Sequence, residues 1–244
     1  MKLKIPTMQG VIERRVLVNF RVRPDAARRL LPEYFRPKLI NGWAMAGICL
    51  IRLKNMRPRR YPAVWGLTSE NAAHRIAVEW DETGATREGV FIPRRDTSSI
   101  LQAFAGGRVF PGINHLAKFK VTEEAGAIRL AMRSRDGVTT VQLHGRPAAE
   151  LPASSVFASL AEASEFFARG SAGYSATRQP NVCDGMELQT KHWEIAPLAV
   201  DLVESSFFDD PNRFATGEAH FDCALWMQDI PHEWHALPRW ERKS

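Results

Sequence analysis

The sequence predicts a single α+β domain dominated by antiparallel strands, and three observations carry that prediction. Alternating, β-branched segments recur along most of the chain. Two or three short helical stretches interrupt them, with no regular strand–helix–strand alternation. Turn signals such as Asn41-Gly42, Thr83-Gly84 and Asp136-Gly137 join neighbouring strands directly.

The first element is VIERRVLVNFRV, residues 11–22, whose alternation reads as a strand. Pro24-Asp25 opens a short helix, DAARRLL, which Pro32 stops. Asn41-Gly42 turns the chain into WAMAGICLIRL, an apolar run that suggests a strand buried on both faces. The Arg/Pro-rich stretch KNMRPRRYPAVWG is too irregular for a regular element and reads as a loop. Strands follow at 74–81 and 88–93, then a helix over 97–105 capped by Thr97 or Asp96 and ended by Gly106-Gly107. Beyond GGRVFPGINH come strands at 115–122, 127–135 and 138–145. The clearest amphipathic helix is SVFASLAEASEFFA, 155–168, closed by Gly170. Further strands are expected at 172–177, 187–195, 199–206 and 217–227, with a loop-like C-terminal tail from about 228. No repeat or linker divides the 244 residues, so one domain over 1–244 is expected.

Composition narrows the functional classes. Hydrophobic content of 45% and charged content of 25% are those of an ordinary globular protein. The N-terminal residues lack a signal-peptide core, and no apolar run reaches the roughly 20 residues that span a bilayer, so no membrane association is expected. Cys49, Cys183 and Cys223 are odd in number and far apart, which suits free thiols in the cytoplasm and argues against a zinc site. Net charge is +6, from 25 arginines and eight lysines against 27 acidic residues. The arginines are scattered and no nucleic-acid-binding signature is present, so a basic solvated surface is favoured over a nucleic-acid site.

Several segments in order carry a resemblance. A short helix ending LLPEYF, an Asn-Gly hairpin and W-A-M-A-G-I precede R-P-R-x-Y-P-A; then come S-E-N-A-A-H-R, E-G-V-F-I-P-R-R-D and G-R-V-F-P-G-I-N-H. The series resembles the YqjF-like family of uncharacterised proteins (DUF2071), a branch of the acetoacetate decarboxylase-like superfamily, over most of residues 10 to 205. The resemblance implies a large, curved, barrel-like antiparallel sheet around a central pocket, with a few peripheral helices. It also implies a small-molecule ligand, organic-acid-like, and a tendency to oligomerise.

Decarboxylases of that superfamily follow a Phe-Pro turn with paired lysines, one of which forms a Schiff base while its neighbour's charge keeps it deprotonated. Lysine activation by a second cation in acetoacetate decarboxylase is a standard example of this effect. Here Phe110-Pro111 is followed by Gly112 and Ile113, neither able to form an imine. Lys118 and Lys120 share one strand face, with His115, Ala117 and Phe119 on the other, a pattern better met by lysines in water than in a pocket. Lys38 precedes a hairpin and is set aside.

By resemblance, Glu70 is the candidate acid or base; the competing role is a loop cap or a pair with Arg75. Arg108, with Arg94, offers a guanidinium fork for a carboxylate, against which stands a solvated arginine or a structural pair with Asp96. Asn114 and His115 follow the turn closely enough to enter the same pocket, His115 as a proton carrier or as a partner of a backbone carbonyl. Glu218, His220 and Asp222 share one face, which reads as solvated, and His232 and His235 lack metal-binding spacing. No metal or other cofactor is expected. The leading functional expectation is a pocket for a small organic acid without Schiff-base chemistry. The alternatives are a lyase or hydratase using Glu70 and Arg108, and a nucleic-acid or partner-binding protein using the basic surface.

Overall fold

The computed structural model describes residues 6–105 and 111–241. In chain order the elements are β1 (Met8–Val22), α1 (Pro24–Arg29), β2 (Arg36–Pro37), β3 (Leu39–Ile40), β4 (Trp43–Pro58) and β5 (Leu67–Glu82). Next come β6 (Ala85–Thr97), α2 (Ile100–Ala105), β7 (Asn114–Glu124), β8 (Ala127–Ser134) and β9 (Thr140–Pro147). The chain continues through α3 (Leu160–Ala168), β10 (Ala172–Ala176), β11 (Val182–Thr190), β12 (Ala196–Ser205) and β13 (Ala219–Glu241). A 3₁₀ turn, Ala63–Trp65, lies between β4 and β5.

All of these strands belong to one curved sheet, antiparallel except where β6 runs parallel to β7 and to β10. The strand order is β11-β10-β6-β7-β8-β9-β12-β13-β1-β4-β5-β2, with β3 against β4. Two additional pairings, β11 with β13 and β5 with β6, close hydrogen-bonded circuits. One runs β13-β1-β4-β5-β6-β10-β11; the other leaves β6 through β7, β8, β9 and β12 and returns to β13. The wall β13-β1-β4-β5-β6 is common to both.

That shared wall explains why β1 and β4 are apolar on both faces. Val16, Val18, Phe20, Ile48, Leu50 and Ile76 face one core, with Leu130, Leu143 and Phe208. Leu17, Met45, Cys49, Ile51 and Leu225 face the other, under the α3 residues Phe166 and Phe167. Strand side chains alternate between faces, so each of these strands serves two interiors. The buried run expected at 43–53 is such a strand.

The structure changes several element boundaries. Residues 54–58 and 67–73 are strand, so β4 and β5 are longer than local pattern suggests. The expected tail from about 228 is instead the second half of β13, paired with β1 over Met8–Arg14 and with β11 over Val182–Thr190. Helix α3 begins at Leu160 because Ser159 Oγ accepts the Glu162 N–H at 3.1 Å while Glu162 accepts the Ala158 N–H at 2.6 Å, a near-reciprocal cap. Glu218, His220 and Asp222 do not form a solvated face. Asp222 is buried and accepts from Ser155 Oγ at 2.7 Å and the Val156 N–H at 2.9 Å. Among the described residues no helix is long and apolar enough to cross a membrane.

Candidate functional site

A cavity of about 120 Å³ open to water centres lies inside the β13-β1-β4-β5-β6-β10-β11 circuit. Alternation on β5 turns Asn71, Ala73 and Arg75 toward it. Ala73 lies opposite Cys49 on β4 and Arg95 on β6, so register brings those two side chains to the same space. Arg15 enters from β1, and Asn114 from the start of β7, where it pairs with Arg95. Ile92, Met186, Leu188 and Trp234 provide an apolar lining.

Gly112 fixes the end of the turn that reaches this cavity. Its φ of +67° is one that residues with a Cβ rarely adopt, and an added Cβ would lie 2.5 Å from Ser175 Cβ. Its N–H donates to Asp184 Oδ2 at 3.0 Å, which seats Pro111 and Asn114 beside β10.

The electrostatics are unusual. Arg75 is 5% exposed; one terminal nitrogen donates to Asn19 Oδ1 at 2.5 Å, the Nε has no partner, and the guanidinium lies 5.0 Å from the Phe167 ring centre. Burial pushes its pKa down to about 10, and the neighbouring charge of Arg15 acts in the same direction. Arg95 donates from Nε to Ser175 Oγ at 2.8 Å, and desolvation brings it, too, down to about 10. Arg15 donates from Nε to Cys49 Sγ at 3.3 Å and leaves Nη1 buried without a partner. Among the described residues, none of these three guanidiniums has a carboxylate partner. Asp96 also borders the cavity, but its oxygens accept from Arg94 at 2.8 to 3.2 Å, and burial raises its pKa. A desolvated, uncompensated cation is costly; Arg75 and Arg95 are of this kind, Arg15 stands half-buried beside them, and an anion is their natural complement.

Of the residues the sequence put forward, Asn114 lines this cavity. Glu70 projects from the other face of β5, where its oxygens accept from Arg14 and Arg52 at 2.5 Å each. It does not pair with Arg75. Arg94 bridges Asp96 and Asp136 at 2.8 and 2.9 Å. His115 Nδ1 lies 3.0 Å from Asp136 Oδ2. Burial opposes the ionisation of Asp136, yet hydrogen bonds from Ser134, the Val138 N–H and Arg94 hold its carboxyl well below the usual range. Arg108 lies outside the described residues. Lys118 and Lys120 are exposed, with Ala117 buried and Phe119 and Val121 packed on the core. Lys38, set aside on sequence, is instead buried; its Nζ donates to Glu88 at 2.5 Å and to the Phe166 carbonyl at 3.3 Å. It borders a smaller side cavity that shares Arg15 and Arg75 with the main one.

Sequence reading missed Arg15, Cys49, Arg75 and Arg95. A signal existed: Arg15 and Arg75 each sit at the head of an apolar strand segment, before VLV and IAV. Arginine in such a place must be ion-paired, hydrogen-bonded or facing a cavity.

A family model described as an uncharacterized conserved protein family, DUF2071, matches residues 11–221. No curated protein matches the chain. Among solved structures, an acetoacetate decarboxylase from Legionella pneumophila aligns at 12% identity and a TM-score of 0.57, covering 95% of this chain and 87% of that one. The enduracididine biosynthesis enzyme MppR complexed with pyruvate aligns at 13% identity and 0.56, covering 98% and 91%. An acetoacetate decarboxylase-like enzyme from Sphingomonas wittichii RW1 aligns at 12% identity and 0.53, covering 97% and 94%. At these identities the likeness is one of fold.

Proposed function

The chain belongs to the DUF2071 family and has an acetoacetate decarboxylase-like fold, and from that premise we propose that its cavity binds a small organic acid through Arg15, Arg75 and Arg95. The observation that carries the reading is the set of desolvated guanidiniums without a carboxylate partner among the described residues. An acid placed among them supplies the missing negative charge, and parallel N–H donors match a carboxylate. Asn71 and Asn114 add donors and acceptors that orient the rest of the molecule, while Ile92, Met186 and Trp234 take its apolar part. The presence of pyruvate in MppR, a structural neighbour, supports a small carboxylate as the ligand class.

Among the described residues no lysine lines the main cavity. The reading therefore assigns the pocket carboxylate recognition and gives it no imine step. Thermal unfolding in the presence of small carboxylic and keto acids tests it. A ligand at 100 times its Kd adds about 2.7 kcal/mol of stability. A rise with acids that is absent with the matching amides supports the reading; equal responses to acid and amide would refute recognition by charge.

A further inference from the structure

We infer that the cavity is built for a dicarboxylate, a molecule carrying two separated carboxylate groups on a short apolar or keto-bearing body. The inference rests on the carboxylate-binding reading and names its substrate class.

Arg75 and Arg95 come from adjacent strands; Ala73 pairs with Arg95, and Arg75 lies two residues further along β5, at a register shift between His74 and Ile76. Arg15 comes from β1, separated from β5 by β4 and displaced along the sheet, since it pairs with Ile51, which pairs with Asn71. The positive groups thus stand on three different strands of the shared wall, at different heights along it. A single carboxylate brings one negative charge to three guanidiniums, and each fork offers paired donors that a second carboxylate can meet. A monoanion would leave part of this buried charge uncompensated; two carboxylates, set apart by the spacing of the strands, match it more fully.

The apolar part of the lining favours charges carried on an organic body over a compact dianion. Ile92, Met186, Leu188 and Trp234 present apolar surface that a methylene body would cover and that inorganic phosphate would leave bare. Asp96, held by Arg94, is the remaining charged side chain of the lining, and Asn71, Gln102 and Asn114 can hydrogen-bond a keto or hydroxyl group. Arg75 lines the cavity, is nearly fully buried and has an Nε without a partner, so the protein around it leaves its charge uncompensated.

Isothermal titration of the full chain with succinate and 2-oxoglutarate, beside butyrate, pyruvate and inorganic phosphate, tests the inference. The dicarboxylates are expected to bind at least about tenfold more tightly than the matched monocarboxylates. Arg95→Met should reduce dicarboxylate affinity to the monocarboxylate level, with unfolding curves of the variant reporting that it is folded. Arg75→Met gives a second, independent variant with the same expected loss. Equal affinity for mono- and dicarboxylates, or phosphate binding as tightly as succinate, overturns the inference while the carboxylate-binding reading stands. Failure of every carboxylate to bind overturns both.

Discussion

Replacing Arg75 by Met separates a binding role from a structural one, because the two predict stability changes of opposite sign. Arg75 is buried and its pKa is pushed down from 12.5 to about 10, chiefly by desolvation. For a cation whose folded-state pKa lies below its unfolded value, the penalty is fully present below the folded pKa and is relieved as pH rises toward the unfolded one. At neutral pH that penalty is about 3 kcal/mol. Methionine removes it and fills much of the same volume. The substitution also forfeits the hydrogen bond to Asn19, worth about 1 kcal/mol, and the contact with the Phe167 ring, worth about 1 kcal/mol. The net expectation is a ligand-free protein more stable by about 1 kcal/mol, a Tm higher by about 2 to 4 °C for a chain of this size. The same variant should lose most of its stabilisation by carboxylates. Scanning calorimetry of both proteins, with and without ligand, reads both effects. A fall of several degrees in the ligand-free Tm would mean that Arg75 is a compensated structural ion, and the reasoning behind the cavity would fail.

Other parts of the molecule give independent expectations. Glu70→Gln should lower stability by about 1 to 3 kcal/mol in urea denaturation, because it removes charge from between Arg14 and Arg52; it should leave carboxylate affinity unchanged, and a large loss of affinity would return Glu70 to the site. Gly112→Ala forces a Cβ against Ser175 at a positive φ, so a loss of about 1 to 3 kcal/mol is expected, together with weaker ligand binding as Pro111 and Asn114 shift. Acid stability should reflect His74 and His232, which burial pushes down to about 3 and about 4. Both are neutral in the fold and take up protons on unfolding below pH 6.5, so stability falls with pH by about 2 kcal/mol per histidine between pH 6.5 and 5. Urea midpoints that do not move over that interval would contradict these assignments.

Much of the architecture is legible along the chain because it is written in local chemistry. The alternation in VIERRVLVNFRV, the Asn41-Gly42 and Thr83-Gly84 turns and the double-sided apolar run at 43–53 each follow from strand geometry and turn preference. The order of motifs adds the DUF2071 family, and with that resemblance the expectation of a curved sheet. The long second half of β13 was hidden because Pro231 and Pro238 read as breakers and the segment lacks clean alternation. Pairing with β1 on one side and β11 on the other holds it extended, a stabilisation that no local window contains.

The site divides along the same line. Sequence alone determined that the Phe-Pro turn carries no reactive lysine at Gly112 or Ile113, that arginine outnumbers lysine, and that Asn114 follows the turn closely enough to reach a pocket. Tertiary structure decided which arginines matter. Arg94 and Arg95 are neighbours in sequence, yet alternation sends Arg94 to Asp96 and Asp136 and Arg95 to the cavity. Glu70 and Arg75, five residues apart on one strand, likewise face different interiors, so the pair suggested by sequence cannot form. Which charges are left without a partner depends on the register of β1, β4, β5 and β6 around a closed circuit. That is a long-range property, and composition and spacing cannot express it.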